Sequence, residues 1–293
     1  MGGVDAAVEQ IISAAKVGGV VVALHALAQI GIKCDGVNVI LQMIKTARHC
    51  GGESIGCIIA GIGAEAVGFP VEDEKPFTTY ATNITQDKET GIGVWTDAEI
   101  ILAIREGIRP NGGRIIGPTM PIGLYRELSD RDVCAIVAYL RQVKPVNNEM
   151  EKSTYQIPLP PAYGPPVTNV PDIPQTDKIA YGAYLAGPAG HCIECHTPFV
   201  KGRPDFANQL GAGGFPFHGP WGVSVSANIT PHADGIADYG DAELAKVIRS
   251  GIRPDGSRLM PPMGVYYYAN ISDGDMAAIV AYLRALEAKP NPQ

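Results

Sequence analysis

Apolar residues between 96 and 143 recur at helical spacing. Ile100, Ile101 and Ile104 form one stripe behind Thr96-x-x-Glu99, a capping-box pattern, and Gly107 follows as a natural stop. Ser129-x-x-Asp132 opens a second helix, in which Val133, Ile136, Val137 and Leu140 fall at the i, i+3, i+4, i+7 positions of one face. Between 237 and 286 the pattern returns: Ser272 opens a helix carrying Met276, Ile279, Val280 and Leu283 at the same spacing. Period-two alternation is weak everywhere, so few strands are expected. With 35 Gly and 24 Pro in 293 residues, the prediction is an all-α protein of short helices joined by long Gly/Pro-rich loops.

The return of the pattern is a duplication. ATNIT (81–85), GVWTDAEIILAIREGIRPNG (93–112) and LSDRDVCAIVAYLRQV (128–143) answer to SANIT (226–230), ADYGDAELAKVIRSGIRPDG (237–256) and ISDGDMAAIVAYLRAL (271–286). Asn83 maps to Asn228 at an offset of 145, Gly107 to Gly251 at 144, and Tyr139 to Tyr282 at 143. A period this long is that of a repeated domain rather than a solenoid. Residues 144–175 hold eight prolines and little periodicity, as expected of a semi-rigid connector. The expected layout is a first repeat over 29–143, a Pro-rich linker over 144–175 and a second repeat over 176–293.

The remaining segment, 1–28, resembles an export signal. Val17–Ile30 is apolar without a formal charge, Lys16 precedes it, and Ala26-Leu27-Ala28 offers a small-x-small cleavage site before Gln29. Asp5 and Glu9 make the leading region poorly basic. The apolar run falls short of the ~20 residues a membrane span needs, so membrane association is expected only through partners or an uncleaved N-terminus. Export would place the protein in the periplasm, an oxidising compartment. There, Cys34, Cys50 and Cys57 could supply one disulfide. Lys+Arg 23 against Asp+Glu 30 gives a net charge of −7, which argues against nucleic acid as a partner.

Chemistry concentrates at His191-Cys192-Ile193-Glu194-Cys195-His196. Cys-x-x-Cys-His is the c-type haem attachment spacing. One helical turn presents both thiols on one side, where they can add to two vinyl groups, and the following His196 falls under the iron as proximal ligand. A dithiol redox site would need a βαβ context, and a zinc site two further ligands at short spacing; neither pattern is present. For the opposite iron position the candidates are Met260 and Met263 in RLMPPMGVYYY. The repeat favours Met263, which corresponds to Met120 in GPTMP at offset 143, whereas Met260 falls opposite Gly117 or Ile116. His191, His218 and His232 compete for the same role. The last helix is expected to cross the segment 180–185, where Gly182 permits close approach and Tyr282 and Leu283 would be its partners.

The first repeat departs from this pattern. His49-Cys50 aligns with His191-Cys192, but the positions that need Cys and His are Glu53 and Ser54. Similarity is lost from about 33 to 66, through domain decay or a reading-frame error, and resumes at Gly68-Phe69-Pro70. Met120 and Cys50 remain as a degenerate site, with one haem expected in the second repeat and the stretch 33–66 expected to be poorly ordered. Cys134, beside an apolar stripe, is expected to be a small buried thiol.

The haem motif, the Asn-Ile-Thr turn, Gly-Ile-Arg-Pro-Asp-Gly, the Pro-Pro-Met loop and the Ala-Tyr-Leu-Arg helix together resemble class I cytochrome c. More narrowly, the chain is similar to the periplasmic multihaem cytochrome c subunits of membrane-associated alcohol- and gluconate-type dehydrogenases. The resemblance covers about 68–143 and 178–287. It implies two tandem cytochrome c-like domains, haem c bound through Cys192 and Cys195, and His196 and Met263 as iron ligands. A second haem would be held only if the first repeat were functional. It further implies a one-electron carrier rather than an enzyme, with a dehydrogenase as donor and an oxidase or another cytochrome as acceptor. A dihaem peroxidase-like enzyme and a docking subunit of a dehydrogenase complex are the alternatives.

Overall fold

The computed structural model describes residues 77–78, 80–115, 120–200, 202–219 and 221–292. The signal-like segment, Cys34, Cys50, Cys57 and the block 33–66 lie outside the described residues. Eight α-helices are present among those described: α1 (Asp97–Glu106), α2 (Ile122–Tyr125), α3 (Asp130–Leu140), α4 (Lys178–Tyr184), α5 (Cys192–Cys195), α6 (Asp241–Ser250), α7 (Val265–Tyr268) and α8 (Asp273–Ala285). A π-helical turn, Leu185–Ala189, continues α4. Strands are confined to three antiparallel pairs: β1 (Phe77–Thr78) with β2 (Thr154–Tyr155), β3 (Phe199–Val200) with β4 (Arg203–Pro204), and β5 (Pro216–Gly219) with β6 (Gly222–Val225). No described helix is long and apolar enough to cross a membrane.

Local signals act where the sequence places them. Thr96 caps α1 with a reciprocal Glu99 bond, and Gly107 ends it in the left-handed conformation at φ 62°, which costs a residue without Cβ little. Gly251 does the same for α6 at φ 66°. Ser129 and Ser272 cap α3 and α8 through the backbone N–H groups of Asp132 and Asp275. Equivalent arginines then clamp equivalent corners. Arg105 meets Asp130 at 2.6 Å and Arg249 meets Asp273 at 2.8 Å; Arg141 meets Asp97 at 2.6 Å and Arg284 meets Asp241 at 3.0 Å. The short helices α2 and α7 escape a periodicity search because four residues carry no period.

Helix α4 crosses α8 at Gly182. A Cβ there would stand 2.0 Å from the carbonyl oxygen of Ala278 and 2.8 Å from Cβ of Tyr282, so the approach requires glycine. Two tyrosines flank it, one turn apart. Tyr181 donates its hydroxyl hydrogen to Asp275 at 3.0 Å, and Tyr184 donates to Asp132 at 2.5 Å while accepting the Ser129 N–H. Asp132 and Asp275 occupy equivalent places in the two repeats, so one helix serves both. The buried cluster is correspondingly continuous: Ile100, Leu128, Val133 and Val137 of the first half pack with Tyr184, Leu185, Met276 and Ile279 of the second.

Residues 144–175, expected as a spacer, lie against the first half as a strap. Asn83 donates to the Val146 carbonyl at 2.8 Å, and Tyr163 donates to the Ile115 carbonyl at 2.9 Å. Arg114 and Arg126 donate to the carbonyls of Pro161 and Pro165. Val167 N–H reaches Glu106 at 2.7 Å, and Asp130 N–H reaches the Val170 carbonyl at 2.9 Å. Proline frees carbonyls as acceptors while withdrawing donors, so an extended segment of this composition suits a surface that presents arginines.

Two outcomes follow. Gly182→Ala should cost at least about 2 kcal/mol, because its methyl meets backbone rather than a mobile side chain; urea denaturation would measure it, and a neutral effect would contradict the crossing. Burial first, then the adjacent Asp275 and Asp132, raise the Tyr181 and Tyr184 hydroxyls above the usual tyrosine value. Since the folded form holds the proton more tightly, this stability is intact below about pH 10 and lost above it, by up to about 1.4 kcal/mol per pH unit for each tyrosine. The double change Tyr181→Phe with Tyr184→Phe should flatten the alkaline slope of denaturation monitored by circular dichroism.

Candidate haem site

The chain enters the motif through a constrained backbone. After the π-helical turn, His191 takes φ 57°, a left-handed conformation that costs a side chain roughly 1–2 kcal/mol, and turns the chain into α5. Its ring lies 4.8 Å from that of Tyr125 in the first half, and burial pulls its imidazole down to about 4. Tyr125 corresponds to Tyr268, whose hydroxyl donates to the Gly190 carbonyl at 3.2 Å. Gly190, ahead of the motif, has no room for a Cβ, which would meet the Leu185 carbonyl oxygen at 2.5 Å.

A cleft lined mainly by apolar side chains opens beside α5. Leu185, Ile229, Ile248, Ile271, Ile279 and Leu283 supply most of its wall. Cys192, His196 and Met263 also line it, with Tyr268 and the polar pair Ser272 and Asp275. Cys195 closes the same helical turn without itself lining the space. Met260 does not line it and is 48% exposed. Of the competing histidines, none lines the cavity: His191 faces Tyr125, His218 lies in β5, and His232 accepts the Asp234 N–H at 3.1 Å.

His196 is oriented from outside. Its Nδ1 lies 2.6 Å from the Ala227 carbonyl oxygen, which accepts only if Nδ1 carries the hydrogen. Nε2 is then the ring's remaining lone pair, the tautomer a metal-ligating histidine needs. Burial lowers the ring's pKa, against the opposing pull of the Ala227 bond, and so favours the neutral form. Burial also pushes the Cys192 thiol up to about 11 and that of Cys195 up to about 12, so both are held as thiols. Glu194, between them, is raised by burial to about 7.

A family model for cytochrome c matches residues 179–287. That segment is a cytochrome c domain. Its relatives include the cytochrome c subunit of a quinone-dependent alcohol dehydrogenase from Gluconobacter oxydans, 32% identical over 73% of this chain and 48% of that protein. A subunit of the nicotinate dehydrogenase of Pseudomonas putida is 32% identical over 79% of this chain and 20% of its own length. A dihaem cytochrome c-type protein of Cereibacter sphaeroides is 29% identical over 72% of each. The chain thus spans about half the length of the alcohol dehydrogenase subunit and a fifth of the nicotinate dehydrogenase subunit.

Cytochromes c hold haem c covalently, and the cavity passes a test of fit. It is mainly apolar, as a porphyrin face requires, and presents a neutral imidazole and a thioether, donors suited to iron. In the first half, Met120 packs against the shared core cluster, and Cys50 lies outside the described residues. Cys134 is buried, as expected, but disulfide-bonded rather than a thiol. The contributions of Tyr268, Ser272, Asp275 and the Ala227 carbonyl escaped sequence reading. The Tyr125/Tyr268 correspondence at offset 143 was an available signal for the first of these.

Proposed function

We propose that the chain is a periplasmic electron carrier of two fused cytochrome c-like units, 29–143 and 176–293, with one haem c in the second. The observation that carries this reading is the convergence of Cys192, His196 and Met263 on one apolar cavity. The thiols of Cys192 and Cys195 would each add S–H across a vinyl double bond, forming a thioether without net oxidation or reduction. His196, its Nδ1 fixed on Ala227, would offer Nε2 to the iron from one side, and Met263 Sδ would meet it from the other. Bound haem supplies a one-electron couple whose potential a methionine ligand raises.

If His196 and Met263 both hold the iron, no position would remain for substrate, which favours outer-sphere electron transfer over catalysis. The apolar side chains Leu185, Ile229, Ile248, Ile271, Ile279 and Leu283 would exclude water from a group held there, and so limit the reorganisation that accompanies a change of its charge. The dehydrogenase names of the relatives support a dehydrogenase as donor, and an oxidase or a further cytochrome would then receive the electron.

Changing Cys192 and Cys195 together to Ala should abolish covalent haem, read as loss of haem staining on a denaturing gel. Intact mass should give one haem per chain. Two would overturn the single-haem reading and implicate the first repeat, with Met120. Met263→Ala should remove the weak far-red sulfur–iron absorption of the ferric protein and Met260→Ala should leave it. Met263→His should lower the reduction potential, since imidazole favours the ferric state relative to a thioether; the reverse result for the two alanine variants would reassign the ligand.

A further inference from the structure

The duplication supplies an internal comparison for one buried charge. Helices α3 and α8 open on the same pattern, Ser-Asp-x-Asp, with Arg131 in the third place of the first half and Gly274 in that of the second, at offset 143. In both, the last carboxylate is buried. Asp132 is 5% exposed and Asp275 8%, and each accepts a tyrosine hydroxyl from α4. Ser272 Oγ donates a further bond to Asp275 Oδ2 at 2.7 Å. The corner arginines are equivalent as well: Arg105 is engaged with Asp130 and Arg249 with Asp273. The difference is Arg131. Its Nε stands 3.6 Å from Asp132 Oδ1 and its Nη1 3.4 Å from Asp172. Gly274 offers no counterpart, and among the described residues no Lys, Arg or His forms an ion pair with Asp275. Asp132 thus has a cation beside it, while the side chains bonded to Asp275 are neutral hydroxyls. Of the two, Asp275 is the one that lines the cavity with Cys192, His196 and Met263.

We propose that the Asp275 carboxylate tunes the group held in this cavity, keeping the reduction potential of the haem below the value that the His196 and Met263 ligands would give alone. The inference rests on the haem reading and deepens it. Ferric haem carries one more unit of positive charge than ferrous haem. A fixed negative charge on the wall therefore stabilises the ferric state, and more so where apolar side chains keep water from screening it. Both oxygens of Asp275 serve as acceptors, Oδ1 for Tyr181 and Oδ2 for Ser272, the role of the ionised form. Capping of α8 does not account for the missing cation, since Asp132 completes the same cap on α3 with Arg131 beside it. Met263 and Asp275 then act in opposite directions: a thioether ligand raises the potential, and the carboxylate lowers it. Tyr181, from the crossing helix α4, fixes where that carboxylate stands.

The test is a potentiometric titration of the holoprotein followed by its visible absorption, with haem content by intact mass and folding by circular dichroism on the same samples. Asp275→Asn keeps the shape of the side chain and removes its charge. At an ambient potential equal to the wild-type midpoint, it should raise the ferrous-to-ferric ratio at least about threefold, which one unit charge exceeds at roughly 15 Å and an effective dielectric constant of about 20. Gly274→Arg brings in the cation of the first half and removes nothing from the cavity. A Cβ at Gly274 has no neighbour nearer than Ser272 Oγ at 3.9 Å, and the position is exposed, so the change is sterically free. It should raise the same ratio by about twofold, the size of a partly exposed ion pair, and it decides the matter if Asp275→Asn does not fold. Asp132→Asn, where Arg131 already offsets the charge, should move the ratio less than Asp275→Asn. An unchanged or lowered ratio in Asp275→Asn or Gly274→Arg overturns the proposal, as does an Asp132→Asn shift equal to that of Asp275→Asn. A capping role alone would appear as lost stability without a change of ratio. Haem content separates the two readings: a wild-type chain without covalent haem overturns both, whereas one haem per chain with an unmoved potential in the variants overturns this one alone.

Discussion

The crossing at Gly182 sets the position of almost everything near the cavity. Helix α4 can approach α8 only because no side chain intervenes, and the π-helical turn that continues α4 then delivers Gly190, His191 and α5 at a fixed distance from the α8 face. That face carries Ile279 and Leu283 to the cavity wall. A shift of α4 by the width of a methyl group would therefore move Cys192 and His196 relative to Met263, which α7 joins to the N-terminal end of α8. The Tyr181–Asp275 bond fixes the rotation of α4 about this contact, and the Tyr184–Asp132 bond ties the same helix to the first half.

The site combines an apolar container with a few oriented polar atoms. A donor set of neutral imidazole and thioether carries no charge of its own, so the chain can bring both beside a metal without the desolvation cost that a buried carboxylate would incur. The orientation of His196 is not set by its neighbours in the motif but by the backbone at Ala227, 31 residues on, in the turn that Asn228 and Thr230 anchor to Lys289. The Asn-Ile-Thr motif thus acts on the site from a distance.

Much of this was legible in the sequence because its carriers are short-range. Caps at Thr96, Ser129 and Ser272, stops at Gly107 and Gly251, and the Cys-x-x-Cys-His turn depend on residues within four positions of one another. The contrast between Met263, which lines the cavity, and Met260, which does not, has a sequence counterpart in the offsets of the repeat. What escaped is long-range and occurs once: the course of residues 144–175, the sharing of α4 between two caps, and the bond from Ala227 to His196. Composition told that 144–175 would be extended, but acceptor carbonyls in a proline run do not announce which arginines they will meet. The tilted contact of the His191 ring with Tyr125 was likewise hidden, since each residue is ordinary within its own repeat.

The sharing of α4 bears on how the two copies can have diverged. A duplicated unit usually frees one copy to change, since the other retains the original duty. Here Asp132, a buried carboxylate of the first copy, depends for its hydroxyl partner on a tyrosine carried by the second, and the two cores meet behind it. The two halves thus share one buried joint. A gene fragment encoding either half alone would inherit half of a joint.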